Sequence, residues 1–192
     1  MKNISNLLKA FKQILKLTDH KLVIIGNDEN LFKRELRNAD IQSRVYKRII
    51  FLHDLEESGK NNWIKNASLF VFPSLYEGFG LPPLEAMANG CPVIVSNNSS
   101  LPEVCGDAAV YINPNDPVEI SNAILKLLND GDMRKKLIEL GLERSKQFSW
   151  KESVAEHLYI LEHVLQHSYL PDKSTPIRFK PIPANQANLN FH

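Results

Sequence analysis

The chain alternates short, wholly apolar runs with stretches in which apolar and polar positions repeat at helical spacing. Leu7, Leu8, Phe11, Ile14 and Leu15 follow the helical period, and Leu22–Ile25 comes next as a continuous apolar run closed by Gly26. The pairing recurs. A basic helix over residues 30–39 precedes a strand at Ile49–Leu52, and a short helix over Lys60–Asn66 precedes a strand from Leu69 to Phe72. A helix ending at Gly90 precedes a strand at Pro92–Ser96, and Ala109–Ile112 supplies another. Runs that are apolar throughout suit strands buried on both faces of a parallel sheet. The pattern predicts an α/β fold: a Rossmann-like, mostly parallel sheet of about five strands flanked by helices.

The C-terminal part reads as helix. Asp116-Pro117-Val118-Glu119 and Ser149-Trp150-Lys151-Glu152 are helix-start signatures, each ahead of apolar residues at helical spacing. From Pro171 onward the prolines at 171, 176, 181 and 183 break any regular pattern. The expected organisation is one domain over residues 1–170 and an irregular tail over 171–192.

Composition narrows the function classes. With 192 residues, 43% hydrophobic, the chain can bury a substantial core. A net charge of +1 offers no general reason to expect nucleic acid. Cys91 and Cys105 form no metal-ligand pattern, and a reduced, cytoplasmic setting is the expectation. No run approaches the roughly 20 apolar residues of a membrane helix. Arg34, Arg37, Arg44, Lys47 and Arg48 make the second βα region basic, which suits peripheral contact with an anionic membrane surface or an acidic partner; a solvated face is the simpler account. Histidines 157, 163 and 167 fall on the last helix, where exposure explains them.

The chemistry concentrates in FVFPSLYEGFGLPPLEAMANGCPVIVSNNSSLP, residues 70–102. Pro73 ends the preceding strand because it has no N–H to donate. Gly78 and Gly80 can take positive φ and admit a ligand to the backbone, and Pro82 or Pro83 fits the first helical position. Such a strand, glycine loop and helix start favour an anion, most often a phosphate. Glu77 in the loop and Glu85 in the expected first turn would then accept hydrogen bonds from sugar hydroxyls beside it. Taken singly, Glu85 is an acid placed against a helix dipole and Glu77 a solvated loop residue. A dinucleotide fingerprint is disfavoured because Pro83 stands at its third glycine.

The run from Phe72 to Ala88, FPSLYEGFGLPPLEAMA, resembles the signature of family 4 retaining glycosyltransferases, enzymes of the GT-B fold that use nucleotide sugars. The similarity extends in order from Lys2-Asn3 through Leu22–Gly26, Ile50–Leu52, Pro92–Ser96 and Leu101–Val104 with Gly106–Ala109, as far as Trp150. The resemblance implies the C-terminal, donor-binding half of such an enzyme. It implies that Glu77 contacts the transferred sugar, that Glu85 holds the nucleotide ribose, and that the backbone of Gly78, Phe79, Gly80 and Leu81 approaches the sugar and diphosphate. Lys2 matches the lysine that neutralises the diphosphate leaving group. No metal and no further cofactor are implied, and Glu77 is not assigned as a covalent nucleophile.

Two departures accompany the match. His53 stands where the family usually has glycine, at the strand end expected to approach the nucleotide base. The family's N-terminal, acceptor-binding domain, the first strand of the second domain and an arginine shortly before the lysine have no counterpart in this sequence. The expectation is a donor domain inactive alone, meeting its sugar or glycolipid acceptor through a longer native chain or a second subunit, with a sheet neighbour left unpaired. A catalytically silent nucleotide-sugar-binding or interaction module is the other reading.

Overall fold

The structure, a computed structural model, describes residues 2–41 and 43–166. The chain divides into one unit ending at Ser145 and a second from Lys146 on. The first unit begins with α1 (Ile4–Ile14), β1 (Leu22–Ile25), α2 (Glu29–Asn38), the short α3 (Ser43–Tyr46) and β2 (Ile49–Leu52). It continues through α4 (Glu57–Lys65), β3 (Phe70–Phe72), α5 (Leu81–Ala88), β4 (Val93–Ser96) and α6 (Leu101–Cys105). A 3-10 turn at Gly106–Ala108 leads to β5 (Ala109–Ile112), α7 (Pro117–Asn129) and α8 (Gly131–Ser145). The second unit contains α9 (Trp150–Gln166); the expected tail over 171–192 lies outside the described residues, as does His167.

All five expected strands form and every pairing is parallel, which bears out the α/β reading. They do not form one sheet. β1 pairs with β2, and β3, β4 and β5 make a separate three-stranded sheet in that order. Each sheet therefore keeps open edges. One core runs beneath both: Leu7, Leu8, Phe11 and Ile14 of α1 join Ile24 and Ile49 of the first sheet to Ile94 and Ile112 of the second, with Ile120, Ile124 and Leu127 of α7. The helical spacing read from the sequence is what puts α1's apolar stripe over this core. β4 is buried along its whole length, as a central parallel strand should be.

Helix starts follow their local chemistry. Asp116 caps α7 by accepting from the amides of Val118 and Glu119 at 2.8 and 3.2 Å. The Glu119 carboxylate reaches back to the amide of Asn113 rather than to that of the cap residue. In the second unit, Ser149 Oγ accepts from the amide of Glu152 at 3.3 Å, so the second helix-start signature is also in use. α2 begins at Glu29 behind an Asp28 cap, and α4 at Glu57, three residues before the start read from the sequence.

Because all strands are parallel, their C-terminal ends share one side within each sheet. Gly26 and His53 follow β1 and β2; Pro73, Asn97 and Asn113 follow β3, β4 and β5. Open α/β sheets bind ligands outside these ends.

Candidate functional site

The site starts where β3 stops. Pro73 cannot extend the ladder, and the chain turns into the loop Ser74–Gly80 before α5. Ser74 is fully buried, and its Oγ lies 2.8 Å from Glu77 Oε1 and 3.2 Å from the Tyr76 carbonyl. With one proton to give, the hydroxyl donates to the nearer, charged acceptor. The loop thus holds the first acid of the signature by a side chain of its own.

A second loop braces the first. Asn98 Nδ2 donates to the Leu75 carbonyl at 3.0 Å, and the Glu77 amide donates to Ser99 Oγ at 3.1 Å. Ser100 Oγ lies 2.6 Å from the Phe79 carbonyl and 3.0 Å from that of Glu77. Ser99 takes a positive φ of 50° to make this fit. Sequence reasoning passed over these three residues. Their signal was the run Asn97-Asn98-Ser99-Ser100 directly after a buried strand, where small polar side chains can bond to neighbouring backbone.

The two glycines divide their work. Gly80 precedes α5 with φ 121°, and a Cβ there would stand 3.0 Å from Leu101 Cδ2. Only glycine fits both constraints. Gly78 does not adopt positive φ, contrary to the sequence expectation, and a Cβ on it would meet nothing within 4 Å. Its contribution is open space beside the backbone. α5 begins at Leu81, one residue earlier than expected, with Pro82 and Pro83 inside its first turn. Neither proline has an N–H, so the first turn presents the Leu81 amide and the positive end of the dipole is reached through the glycine loop. Tyr76, Phe79 and Leu81 are exposed around it.

Glu85 is not in the first turn. The earlier start places it in the second, so the dipole account of this residue falls away. Its Oε2 instead takes a hydrogen bond from Lys60 Nζ of α4 at 3.0 Å, with both side chains about two-thirds covered.

Lys2 is exposed and immediately precedes Asn3, which anchors the start of α1. Asn3 Nδ2 lies 3.0 Å from the Pro73 carbonyl and 2.6 Å from that of Pro114, and Asn3 adopts a left-handed conformation with φ 54°. Its two amide protons satisfy both acceptors. The backbone that carries Lys2 is therefore tied to the ends of β3 and β5, next to the signature loop. At the end of β2, His53 Nδ1 lies 2.8 Å from Asp54 Oδ2, and the His53 ring stacks on Phe51. The remaining titratable outliers are structural. Burial pushes the Cys91 thiol up to about 12 and the Tyr111 phenol up to about 12, and Cys105 up to about 11 against the pull of Arg144.

A hollow lined by Leu15–Asp19, Lys47 and Arg48 lies at the opposite, N-terminal ends of β1 and β2. Arg48 braces it by donating to the carbonyls of Thr18 and His20. Among the described residues no cluster of three or more His, Cys, Asp or Glu gathers as metal ligands, and no helix is long and apolar enough to cross a membrane.

Residues 1–144, which contain this strand end, braced acidic loop and glycine-capped helix, match the family model for "Glycosyl transferases group 1". The chain belongs to the group 1 glycosyl transferases. It is 51% identical over 90 residues to O-antigen chain mannosyltransferase B of Escherichia coli, a match covering 47% of this chain and 24% of that protein. It is 36% identical over 140 residues to the E. coli serotype-specific mannosyltransferase WbdA, covering 73% of this chain and 17% of that one. The chain thus spans a quarter or less of the length of these two relatives. Among solved structures, sucrose-phosphate synthase from Thermosynechococcus elongatus superposes with a TM-score of 0.74 at 27% identity, over 87% of this chain and 43% of that one. The C-terminal domain of a group 1 family glycosyl transferase, LpcC, from Francisella tularensis gives 0.65 at 30% identity, over 74% and 77%. The expected resemblance to a GT-B glycosyltransferase domain is borne out.

Proposed function

We propose that this chain is the donor-binding domain of a retaining, family 4 glycosyltransferase. It moves a sugar from a nucleotide diphosphate sugar to an acceptor hydroxyl, and a further domain or subunit presents that acceptor. The observation that carries the reading is the Ser74–Glu77 grip beside Gly78 and Gly80. It fixes a carboxylate next to an open stretch of backbone at the end of a parallel strand.

In this arrangement Glu77 accepts hydrogen bonds from hydroxyls of the transferred sugar and Glu85 from those of the ribose. The backbone of Gly78 to Leu81 and the positive end of α5 face the diphosphate. Lys2 supplies the positive charge that offsets the diphosphate as the glycosidic bond breaks. His53 and Asp54 lie on the nucleotide side. A metal ion is not part of the proposal. Relatives named as O-antigen and serotype-specific mannosyltransferases make mannose the first sugar to test and a polysaccharide or glycolipid-linked glycan the first acceptor class, with the reaction in the cytoplasm.

The test is a transfer assay with nucleotide sugars and a glycan acceptor, on this chain joined to an acceptor domain. Activity that Glu77→Ala abolishes supports the reading. Equal activity in wild type and Glu77→Ala overturns the role of Glu77. Donor binding without any turnover favours a silent nucleotide-sugar-binding module.

A further inference from the structure

We infer that Lys60 is a positioning residue for the donor: its ammonium holds the Glu85 carboxylate in the orientation that receives the ribose hydroxyls. The inference rests on the donor reading above. Lys60 belongs to α4, which follows the His53-Asp54 turn after β2; Glu85 belongs to α5, which follows the signature loop after β3. Their contact of 3.0 Å therefore joins an element leaving one sheet to an element leaving the other. The second acid near Lys60 is Glu57, on the same helix at 3.8 Å and 73% exposed, a looser contact.

Stability alone is a poor explanation for this pair. An ion pair with nearly a third of each side chain still exposed gains little, and holding two long side chains in one geometry costs rotamer freedom. Its clearer effect is on the carboxylate. With Oε2 committed to Lys60, Glu85 is restrained before any ligand arrives, and Oε1 has no bonding partner among the described residues. A ribose offers two neighbouring hydroxyl donors, and a carboxylate already oriented for them avoids the ordering cost on binding. The backbone of Glu85 is likewise fixed, since its carbonyl accepts from Asn89 Nδ2 at 2.8 Å.

The experiment is calorimetric titration of the chain with GDP, UDP and ADP, repeated with the 2′-deoxy form of whichever binds best. Wild type should prefer the ribonucleotide. Lys60→Met should weaken that nucleotide about tenfold, the scale of one lost hydrogen bond to a charged group. It should also lose most of the preference for the ribo form, while Lys60→Arg restores both. The double variant Lys60→Met/Glu85→Gln should bind no more weakly than Glu85→Gln alone. Circular dichroism checks the fold, and Lys60→Gln replaces the methionine variant if that melts early. Unchanged affinity, or an equal loss for ribo and 2′-deoxy ligands, overturns the inference while leaving the donor reading in place. Failure of wild type to bind any of the three overturns both.

Discussion

Ser74 Oγ stands 2.8 Å from Glu77 Oε1, so a hydroxyl buried at the end of β3 grips the first acid of the signature loop. Removing it with Ser74→Ala should cost about 1 kcal/mol of stability in urea, the net worth of one such bond. The same variant frees the carboxylate, so titration with a nucleotide sugar should show several-fold weaker binding. A variant that lost stability but bound the nucleotide sugar as wild type does would make the grip structural only.

The two loop glycines should fail in opposite ways. Gly80→Ala places a side chain at φ 121° and against Leu101, and should destabilise the protein by about 2 kcal/mol or more. Gly78→Ala meets open space and should stay within about 0.5 kcal/mol of wild type. If a ligand occupies that space, Gly78→Ala nonetheless weakens nucleotide-sugar binding. Thermal melts and calorimetry on the same two variants separate these effects.

Asn3 joins the start of α1 to the carbonyls of Pro73 and Pro114 while held in a left-handed conformation. Asn3→Ala removes both bonds and leaves an unfavourable backbone geometry, an expected loss of about 2 kcal/mol. Since Lys2 is the preceding residue, diphosphate affinity should fall with it.

Much of this was legible in the chain itself. The runs Leu22–Ile25, Ile49–Leu52 and Ala109–Ile112 became strands at the boundaries read from their apolar pattern, because a continuous apolar run of four residues is too short for a helix and suits a strand that is at least partly covered. Glu77 was found through its glycines. The split of the sheet is the weaker case: apolar runs report burial, whereas pairing depends on which edges meet in space. Glu85 moved to the second turn because prolines are tolerated throughout a helix's first turn, so their position does not pin the first residue. Lys60 was invisible because its partner Glu85 lies 25 residues away, beyond any local pattern, and the polar run through Asn98–Ser100 signalled bonds to backbone without showing that the partners lie in the loop Leu75–Phe79.

The divided sheet makes a prediction of its own. Leu22 and Gly26 donate their amides to Arg48 and Leu52, so Ile24 faces β2 while Val23 and Ile25 point to the other edge. Hydrogen exchange should be faster at Val23 and Ile25 than at Ile24. Equal protection at all three would mean that another strand covers that edge.

Alkaline conditions should weaken the fold. The thiols of Cys91 and Cys105 and the phenol of Tyr111 are raised by burial, so the folded chain keeps protons that the unfolded chain releases from about pH 9 upward. Their stabilising effect is complete below the unfolded values and is lost as pH rises towards 11 to 12. Urea midpoints should fall from pH 8 to pH 10.5, and less steeply in Cys91→Ala/Cys105→Ala. A flat profile would contradict the burial argument.

The most direct test of the central claim is calorimetric titration of the chain with GDP-, UDP- and ADP-sugars, comparing wild type with Glu77→Ala and Glu85→Ala. The expected result is saturable one-to-one binding of at least one donor, weakened about tenfold or more by either substitution. No heat of binding at millimolar donor, or affinity indifferent to both acids, would contradict the assignment of this domain as the donor site.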